Sequence, residues 1–354
     1  MISAVVVSYR SGDLATRAIA VLREDAARSG LSVEAVAVVN SGDPEEVRAL
    51  SDAADVTIDS GENLGYAAGL NRGVAAARGD VLFLMNPDVT LRTGATAALF
   101  AALRSAPLTM AGPAMFLDEE ESLLIPLYDE PSPLDLARRR LLLDPRGAAR
   151  VFARRLPRVL RAAEAVARRE TFTVTALSGA MMAVTRETLE AVGAFDARYR
   201  LYFEENDWQR RLRQRGGRLL AVGAAHAVHP YGRTTRGEPR AASWFAESER
   251  LYFTEHFGAR GGAALDALTA SASNLAPWPK LPVEGALSWE GKALGVAVSP
   301  LRSFGVFGFA PLAASARGWR PPAGFREMLA DSTWYARAVA DRSGTARAEV
   351  TLRA

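Results

Sequence analysis

The sequence predicts an α/β protein, a sheet flanked by helices, with a basic helical insertion and a small β-rich module towards its C-terminal end. Three observations predict it. Short β-rich runs alternate with amphipathic helical stretches over roughly the first 116 residues, the pattern of a parallel sheet with helices on its faces. An arginine-rich stretch at helical spacing interrupts that alternation, and α/β character returns over residues 171–258. Past residue 281, short apolar runs separated by turn residues read as strands.

The elements follow in order. Residues 2–9 form the first strand, an apolar run that ends at Tyr9-Arg10. Asp13 is placed to cap the next helix, whose Leu14, Ala18, Val21 and Leu22 share one face and which Gly30 ends. A second strand covers residues 32–40, a short helix begins at Pro44, and a strand covers 56–58. Gly61-Glu62-Asn63-Leu64-Gly65 then leads into a helix with Tyr66, Leu70 and Val74 at spacing four. The wholly apolar Val81–Met85 delivers Asn86-Pro87-Asp88 at its C-terminal end, where open α/β sheets bind ligands.

Between Arg138 and Arg169 stand eleven arginines against two acids, Asp144 and Glu164, so this segment is basic. Phe152, Leu156, Val159, Ala163 and Val166 give it an apolar face, and Pro157 predicts two shorter helices rather than one. Pro277, Pro279 and Pro282 predict a linker, and residues 333–339 and 346–352 predict a hairpin around Asp341-Arg342-Ser343-Gly344. The expected division is a domain over 1–258 with the basic insertion at 117–170, a linker at 259–280, and a β-rich module at 281–354.

With 354 residues, 49% of them hydrophobic, the chain can bury a large core, and collagen, disordered and disulfide-stapled classes are excluded. Of 43 basic residues only Lys280 and Lys292 are lysines, a bias assigned first to composition and only then to guanidinium recognition. Net charge is +3 and no aromatic ladder interleaves the arginines, so a nucleic-acid partner is not expected. The first residues lack a basic leader and read as a buried strand. No window reaches the ~18 apolar residues of a spanning helix, and the nearest, 294–316, is cut by Pro300, Arg302 and Pro311. The expected location is cytoplasmic, or peripheral at the inner membrane face.

Asp88 at a sheet edge suits a divalent cation bridging two phosphates, or else a turn aspartate capping the helix near Thr93. Tyr202-Phe203-Glu204-Glu205-Asn206-Asp207-Trp208 sets three carboxylates among aromatics, whose burial would raise a carboxyl towards a useful base; the alternative is acids complementing a helix dipole. His226 and His229 follow a strand-like run at 219–222, and either could be a surface histidine or complete a metal site with a distant Asp. The glycines of Asn63-Leu64-Gly65-Tyr66-Ala67-Ala68-Gly69-Leu70-Asn71-Arg72-Gly73 could open backbone N–H groups to an anion or nucleobase, but they match neither a dinucleotide fingerprint nor a P-loop.

Taken in order, Val5-Val6-Val7-Ser8-Tyr9-Arg10, the 63–73 stretch, Met85-Asn86-Pro87-Asp88-Val89, Ser178-Gly179-Ala180-Met181-Met182 with Val192-Gly193-Ala194-Phe195-Asp196, and residues 202–207 resemble the family 2 glycosyltransferases. The nearest look-alikes are bacterial rhamnosyltransferase-like members, and the resemblance covers about residues 1–258. It implies a GT-A fold, a Rossmann-like mixed sheet flanked by helices, binding a nucleotide-diphospho-sugar over the strand ends. It implies Asp88 and His229 as ligands for Mn2+ or Mg2+, His229 matching better than His226 through His229-Pro230-Tyr231-Gly232. Ser8, Tyr9, Arg10 and Asn40 would hold base and ribose, and Asn63, Gly65 and Asn71 the nucleotide side. Tyr66, Asn86, Gly179, Ala180 and Trp208 complete the expected substrate pocket, with Glu205, Glu204 and Asp207 as the catalytic carboxylates.

This chain has Asn40-Ser41 where the family has Asp then Asn, and Glu204-Glu205 where it has Glu-Asp. The implied reaction is inverting: Glu205 takes a proton from the acceptor hydroxyl, which attacks the anomeric carbon as the nucleoside diphosphate leaves. The acceptor would be a saccharide or a polyprenyl-diphosphate-linked saccharide in cell-surface polysaccharide synthesis. The basic segment Arg138 to Arg169 would then touch anionic headgroups, or be a solvated insertion. Trp334, Tyr335 and the apolar 304–309 stretch read as a module core or a contact in a homo-oligomer. The alternatives are a catalytically silent carbohydrate- or membrane-binding protein and a sugar-phosphate nucleotidyltransferase. The latter would want a Gly-rich, cation-bearing loop after the first strand, which Ser8-Tyr9-Arg10-Ser11-Gly12 does not supply.

Overall fold

The computed structural model describes residues 1–127, 129–230, 240–270, 281–301, 303, 307–323, 325–326 and 333–352. They fall into two compact units. The first comprises residues 1–114, 128–130 and 166–258, the second 115–127, 131–165 and 259–354.

The order along the chain begins β1 (Ile2–Ser8), α1 (Gly12–Arg28), β2 (Val33–Val39), α2 (Pro44–Ala53), β3 (Val56–Asp59), α3 (Tyr66–Ala76), β4 (Val81–Met85), β5 (Thr90–Leu91) and α4 (Ala95–Leu103). It continues with β6 (Thr109–Phe116), α5 (Pro133–Leu141), α6 (Pro145–Ala167), β7 (Thr171–Thr173), β8 (Met181–Thr185), α7 (Arg186–Val192), α8 (Glu204–Gln214), β9 (Arg218–Val228) and α9 (Ala241–Ala270). The C-terminal strands are β10 (Val283–Glu284), β11 (Leu287–Ser288), β12 (Gly295–Ser299), β13 (Gly308–Pro311), β14 (Gly318–Trp319), β15 (Trp334–Val339) and β16 (Ala346–Leu352).

The main sheet runs β3-β2-β1-β4-β8-β6-β9-β5, with β7 beside β9. Strands β3, β2, β1 and β4 are parallel, whereas β8 is antiparallel to β4 and to β6, and β9 is antiparallel to β5 and β7. The sheet is therefore mixed, and the parallel part directs the ends of β1, β2 and β4 the same way. Those strands are buried on both faces, which is why they read as unbroken apolar runs. Helix α3 lies close on β1 because its contacts are glycines: a Cβ at Gly73 would come within 2.3 Å of Val5 Cγ1, and one at Gly69 within 2.7 Å of Val7 Cγ1. Glycines expected to open backbone N–H groups to a ligand thus serve packing instead.

In the second unit β10-β16-β15-β12-β13 form one sheet and β11-β14 a two-stranded ribbon. The hairpin β15–β16 pairs antiparallel from Trp334↔Leu352 to Val339↔Ala346, as its turn residues predict. The basic segment belongs to the same unit. Phe152, Leu156 and Val159 of α6 share a core with Ala297, Phe307, Phe309 and Val339, and Leu124 and Phe309 exchange backbone hydrogen bonds of 3.0 and 2.8 Å. The insertion and the C-terminal strands are therefore built around one core, where the sequence suggested separate parts.

Two further expectations differ. Helix α6 runs through Pro157 without ending, because apolar contacts on both sides of the proline bury the helix and offset its lost hydrogen bond. Residues 259–270, expected in a linker, are helical, separated from the helix before them by the non-helical Gly258, where φ is +67°. The remaining 271–280 of that linker, with Pro277 and Pro279, lies outside the described residues, as do 304–306 of the apolar stretch. No helix among the described residues is long and apolar enough to cross a membrane.

Phe152 is fully buried and its ring lies 5.1 Å from that of Phe307. Phe152→Ala is expected to cost about 3–5 kcal/mol, measured by denaturant unfolding of the intact chain.

Candidate active site

The end of β4 and the end of β9 meet through a two-residue ladder. Strand β5 pairs with β9 at Thr90↔Val228 and Leu91↔Ala227, so Asp88, two residues before β5, and His229, the residue after β9, lie at the same end of the ladder. His229 Nε2 lies 3.4 Å from Asp88 Oδ1. His226 is turned away, with Nε2 3.1 Å from the Gly223 carbonyl.

Asp88 is 5% exposed, and both of its carboxylate oxygens are buried without a hydrogen-bond partner. It does not cap α4. That task falls to Asp25 of α1, whose carboxylate accepts from Gly94 N at 2.5 Å and Thr96 N at 2.8 Å. A buried carboxylate with no donor is costly, and a cation is the group that removes the cost. Asp88 and His229 thus fit a divalent metal by donor type, and Asp88 also by its unpartnered oxygens. No cluster of three or more such ligands occurs among the described residues.

The backbone bond from Asn86 N to Ala180 O, at 2.8 Å, draws the 178–180 loop to the same edge. Gly179 is where the loop meets α8: a Cβ there would sit 3.1–3.2 Å from Cβ, Cγ and Cδ of Glu205. Glutamates 204 and 205 open α8, and the residues before them, Tyr202 and Phe203, take φ of +64° and +67°. Such backbone costs on the order of 1–3 kcal/mol per bulky residue and persists only where packing enforces it. Phe203 is clamped between Phe245 and Tyr252, each ring centroid 5.5 Å away, and Tyr202 lies edge-on to Phe245 at 5.4 Å.

Burial pushes both glutamates above the usual carboxyl range. The Glu205 charge and a hydrogen bond shared with Glu205 push Glu204 further still. For Glu205 the hydrogen bonds from its own and the Asn206 backbone, and from Glu204, pull the other way. Both carboxyls are thus raised, Glu204 the further, as one coupled pair of buried acids. The Tyr66 hydroxyl lies 3.5 Å from the Gly179 carbonyl. Burial, then Glu204, Glu205 and Asp88, keep that phenol protonated, so all three carboxylates act on one hydroxyl.

Other expected residues are placed differently. Burial opposes ionisation of Asp207, but hydrogen bonds from His256 Nε2 at 3.0 Å and Arg211 Nε at 2.9 Å outweigh it and hold the carboxyl below its usual range. It is a structural anion. Trp208 is fully buried, stacked on Phe195 at 5.6 Å, with Nε1 donating to Gly193 O at 2.8 Å. Asn71 is spent on Phe195, its Nδ2 donating to the carbonyl at 2.8 Å and its Oδ1 accepting from the amide at 3.0 Å. Asn63 closes a turn by accepting from Gly65 N at 3.0 Å. Gly65, at φ +88°, is fixed by close approach, a Cβ there meeting Arg200 O at 2.5 Å.

Three residues that the sequence reading passed over prove structural to the site: Asp25, which relieves Asp88 of capping; Gln209, which brackets Leu177 with bonds of 2.8 and 3.0 Å; and Glu46. Asp13 does not cap α1, whose N-cap position is Ser11. Tyr231 and Gly232 of the expected histidine motif lie outside the described residues.

Residues 1–253 match the family described as glycosyltransferase like family 2. The chain belongs to that family. Its mixed sheet flanked by helices is the GT-A fold, and glycosyl transfer from a nucleotide-sugar is the family's activity. A comparison with curated proteins finds no match. Among solved structures the family 2 chain is similar to GalNAc-T7 with UDP, GalNAc and Mn2+, at 13% identity and TM-score 0.48 over 100% of this chain and 81% of that one. It is also similar to the mannosyltransferase PcManGT from Pyrobaculum calidifontis in complex with GDP-Man and Mn2+, at 17% identity and TM-score 0.43 over 77% and 76% of the two chains. A third is S. aureus TarS 1–349, at 14% identity and TM-score 0.43 over 76% and 69%.

A carboxyl whose folded pKa is raised binds more protons in the native state, so its contribution to stability is lost as pH rises through the folded value. Glu204→Gln removes that loss. It is expected to raise Tm over wild type by about 2–4 °C at pH 8, with the gain vanishing near pH 4, in melts run without added metal.

Proposed function

We propose that this glycosyltransferase is a metal-assisted, inverting enzyme that moves a hexose from a nucleotide-diphospho-sugar to a hydroxyl of a saccharide or lipid-linked acceptor. The observation that carries the reading is the unpartnered buried carboxylate of Asp88 beside His229, on the same edge as the Glu204–Glu205 pair. Mn2+ or Mg2+ held by Asp88 and His229 would supply charge neutralisation for the diphosphate.

The side chains of the chain do the remaining work. Glu205, whose carboxyl burial raises towards a useful base, takes the proton of the acceptor hydroxyl. The acceptor oxygen forms a bond to the anomeric carbon as the bond from that carbon to the diphosphate oxygen breaks. Gly179 leaves room for Glu205, and the strained turn at Tyr202 and Phe203 fixes where the α8 N-terminus presents it. Tyr66, protonated, offers a hydroxyl to donor or acceptor oxygens. The resemblance to rhamnosyltransferase-like members supports rhamnose as the sugar and cell-surface polysaccharide as the product, made in the cytoplasm.

Contact with the membrane surface also belongs to this reading, in a form set by the packing of α6. Its apolar face is spent on the C-terminal sheet, so insertion into a bilayer is not the mode. What remains outward is a row of exposed arginines, Arg146, Arg150, Arg154 and Arg161, spanning roughly 22 Å of helix. Among the described residues none of the four takes part in an ion pair, and like charges at this spacing repel. An anionic headgroup surface would offset that repulsion at about 1 kcal/mol per arginine.

Glu205→Gln is expected to lower kcat by about 10²- to 10⁴-fold, roughly 3–5 kcal/mol of barrier, while donor affinity is kept. Asp88→Asn is expected to abolish Mn2+-dependent donor binding. Titration with a panel of nucleotide-sugars reads both, and a folded wild type that binds a donor yet never turns over with any acceptor would move the reading to a silent binder. Arg150→Glu/Arg154→Glu is expected to reduce co-sedimentation with phosphatidylglycerol vesicles by about tenfold at low salt and to leave turnover of a soluble acceptor unchanged. Equal binding by wild type and variant would remove the membrane contact from the proposal.

A further inference from the structure

One buried carboxylate outside the catalytic edge is used by no step above. Glu46 of α2 is 6% exposed and gathers four donors. Its Oε1 accepts from Ser8 Oγ at 2.5 Å and Ser11 N at 2.8 Å, and its Oε2 accepts from Arg10 N at 3.0 Å and from Ser41 Oγ. Those donors come from the end of β1, the loop into α1, and the turn after β2. A single side chain thus ties together the three segments that the parallel sheet brings to its ligand-binding end.

Two neighbouring features point to what this arrangement is for. Arg10 sits at φ +53°, in the left-handed region, and the bond from its backbone N–H to Glu46 holds it there. Its exposed guanidinium lies 5.3 Å from the centroid of the half-buried Tyr9 ring, a flat cationic and aromatic shelf. Asn40, at the end of β2, is 2% exposed. Its amide is fixed by Nδ2 donating to Gly65 O at 3.0 Å and its backbone N donating to Ser8 O at 2.7 Å, yet its Oδ1 is buried with no donor. An unpaired acceptor held rigid beside such a shelf suits the N–H edge of a nucleobase or a ribose hydroxyl.

We infer that Glu46 is a positioning residue for the nucleoside end of the donor: it holds Arg10, Tyr9 and the end of β1 in the shape that the base and ribose fill, without touching them. The inference rests on the transferase reading. In that shape Ser8, expected to touch the nucleoside, instead serves Glu46, and Tyr9, Arg10 and Asn40 remain to meet it. A glutamine at position 46 presents an amide NH2 to one pair of donors. The Ser hydroxyls can rotate away from it, but the backbone N–H of Arg10 or Ser11 cannot, so even this isosteric change loosens the loop.

The test is calorimetric titration of wild type, Glu46→Gln and Glu46→Ala with UDP, GDP and dTDP, each with Mn2+, and in parallel with inorganic pyrophosphate and Mn2+. The variants should bind the preferred nucleoside diphosphate about tenfold more weakly, because the loop must be ordered on binding. Pyrophosphate, which lacks the nucleoside, should bind within about twofold of wild type. Equal weakening of both probes would mean a general structural role and would overturn the proposal, as would unchanged nucleoside diphosphate affinity. If the alanine variant fails to fold, the glutamine variant carries the comparison. A wild type that binds no nucleoside diphosphate defeats the transferase reading, and this one with it; a wild type that binds while both variants match it defeats only the role of Glu46.

Discussion

The two-residue ladder between β5 and β9 holds the end of β4 against the end of β9, and the rest of the site is arranged around the carboxylate trapped there. Asp88 is buried by that pairing and receives no donor from the protein, because the neighbouring helix start is already capped by Asp25. A buried carboxylate without a donor is costly, and a cation beside it would offset that cost.

The same logic extends along the sheet edge. Two glutamates share a buried turn whose backbone is strained, and aromatic packing by Phe245 and Tyr252 keeps it from relaxing. The polar groups around them are already committed: Asp207 to Arg211 and His256, Asn71 to Phe195, and Gln209 to Leu177. These satisfied groups are the supporting shell. Buried oxygens of Asp88, Glu204, Glu205 and Asn40 have no such partner, which is why the proposed chemistry is placed on them.

The second unit illustrates how burial redirects an apparent signal. A basic amphipathic helix read in isolation invites a membrane or a partner for its apolar face, but Phe152, Leu156 and Val159 are occupied by strands contributed from the far end of the chain. That core also carries α6 through Pro157. Exposed arginines, among them Arg146, Arg150, Arg154 and Arg161, are left outward, so the contact proposed for the helix is electrostatic rather than insertion.

Much of this protein was legible in one dimension. Local periodicity marked β1, β2, β4, the hairpin β15–β16 and most helices, since alternating and 3.6-residue patterns depend only on neighbours. The residues at the ends of apolar strands pointed to Asp88, and the spacing of acids among aromatics pointed to Glu204 and Glu205. What the sequence could not decide was how each polar side chain is spent, because that depends on partners distant along the chain. Asp207 and Trp208 stand beside Glu205 yet face the interior, Asn71 clamps a loop, and Ser8 serves Glu46. The motif resemblance already favoured His229 over His226, and tertiary structure supplied the reason, a strand register in which each residue along β9 faces the opposite way from the one before; tertiary structure alone gave the basic segment and the C-terminal strands a common core.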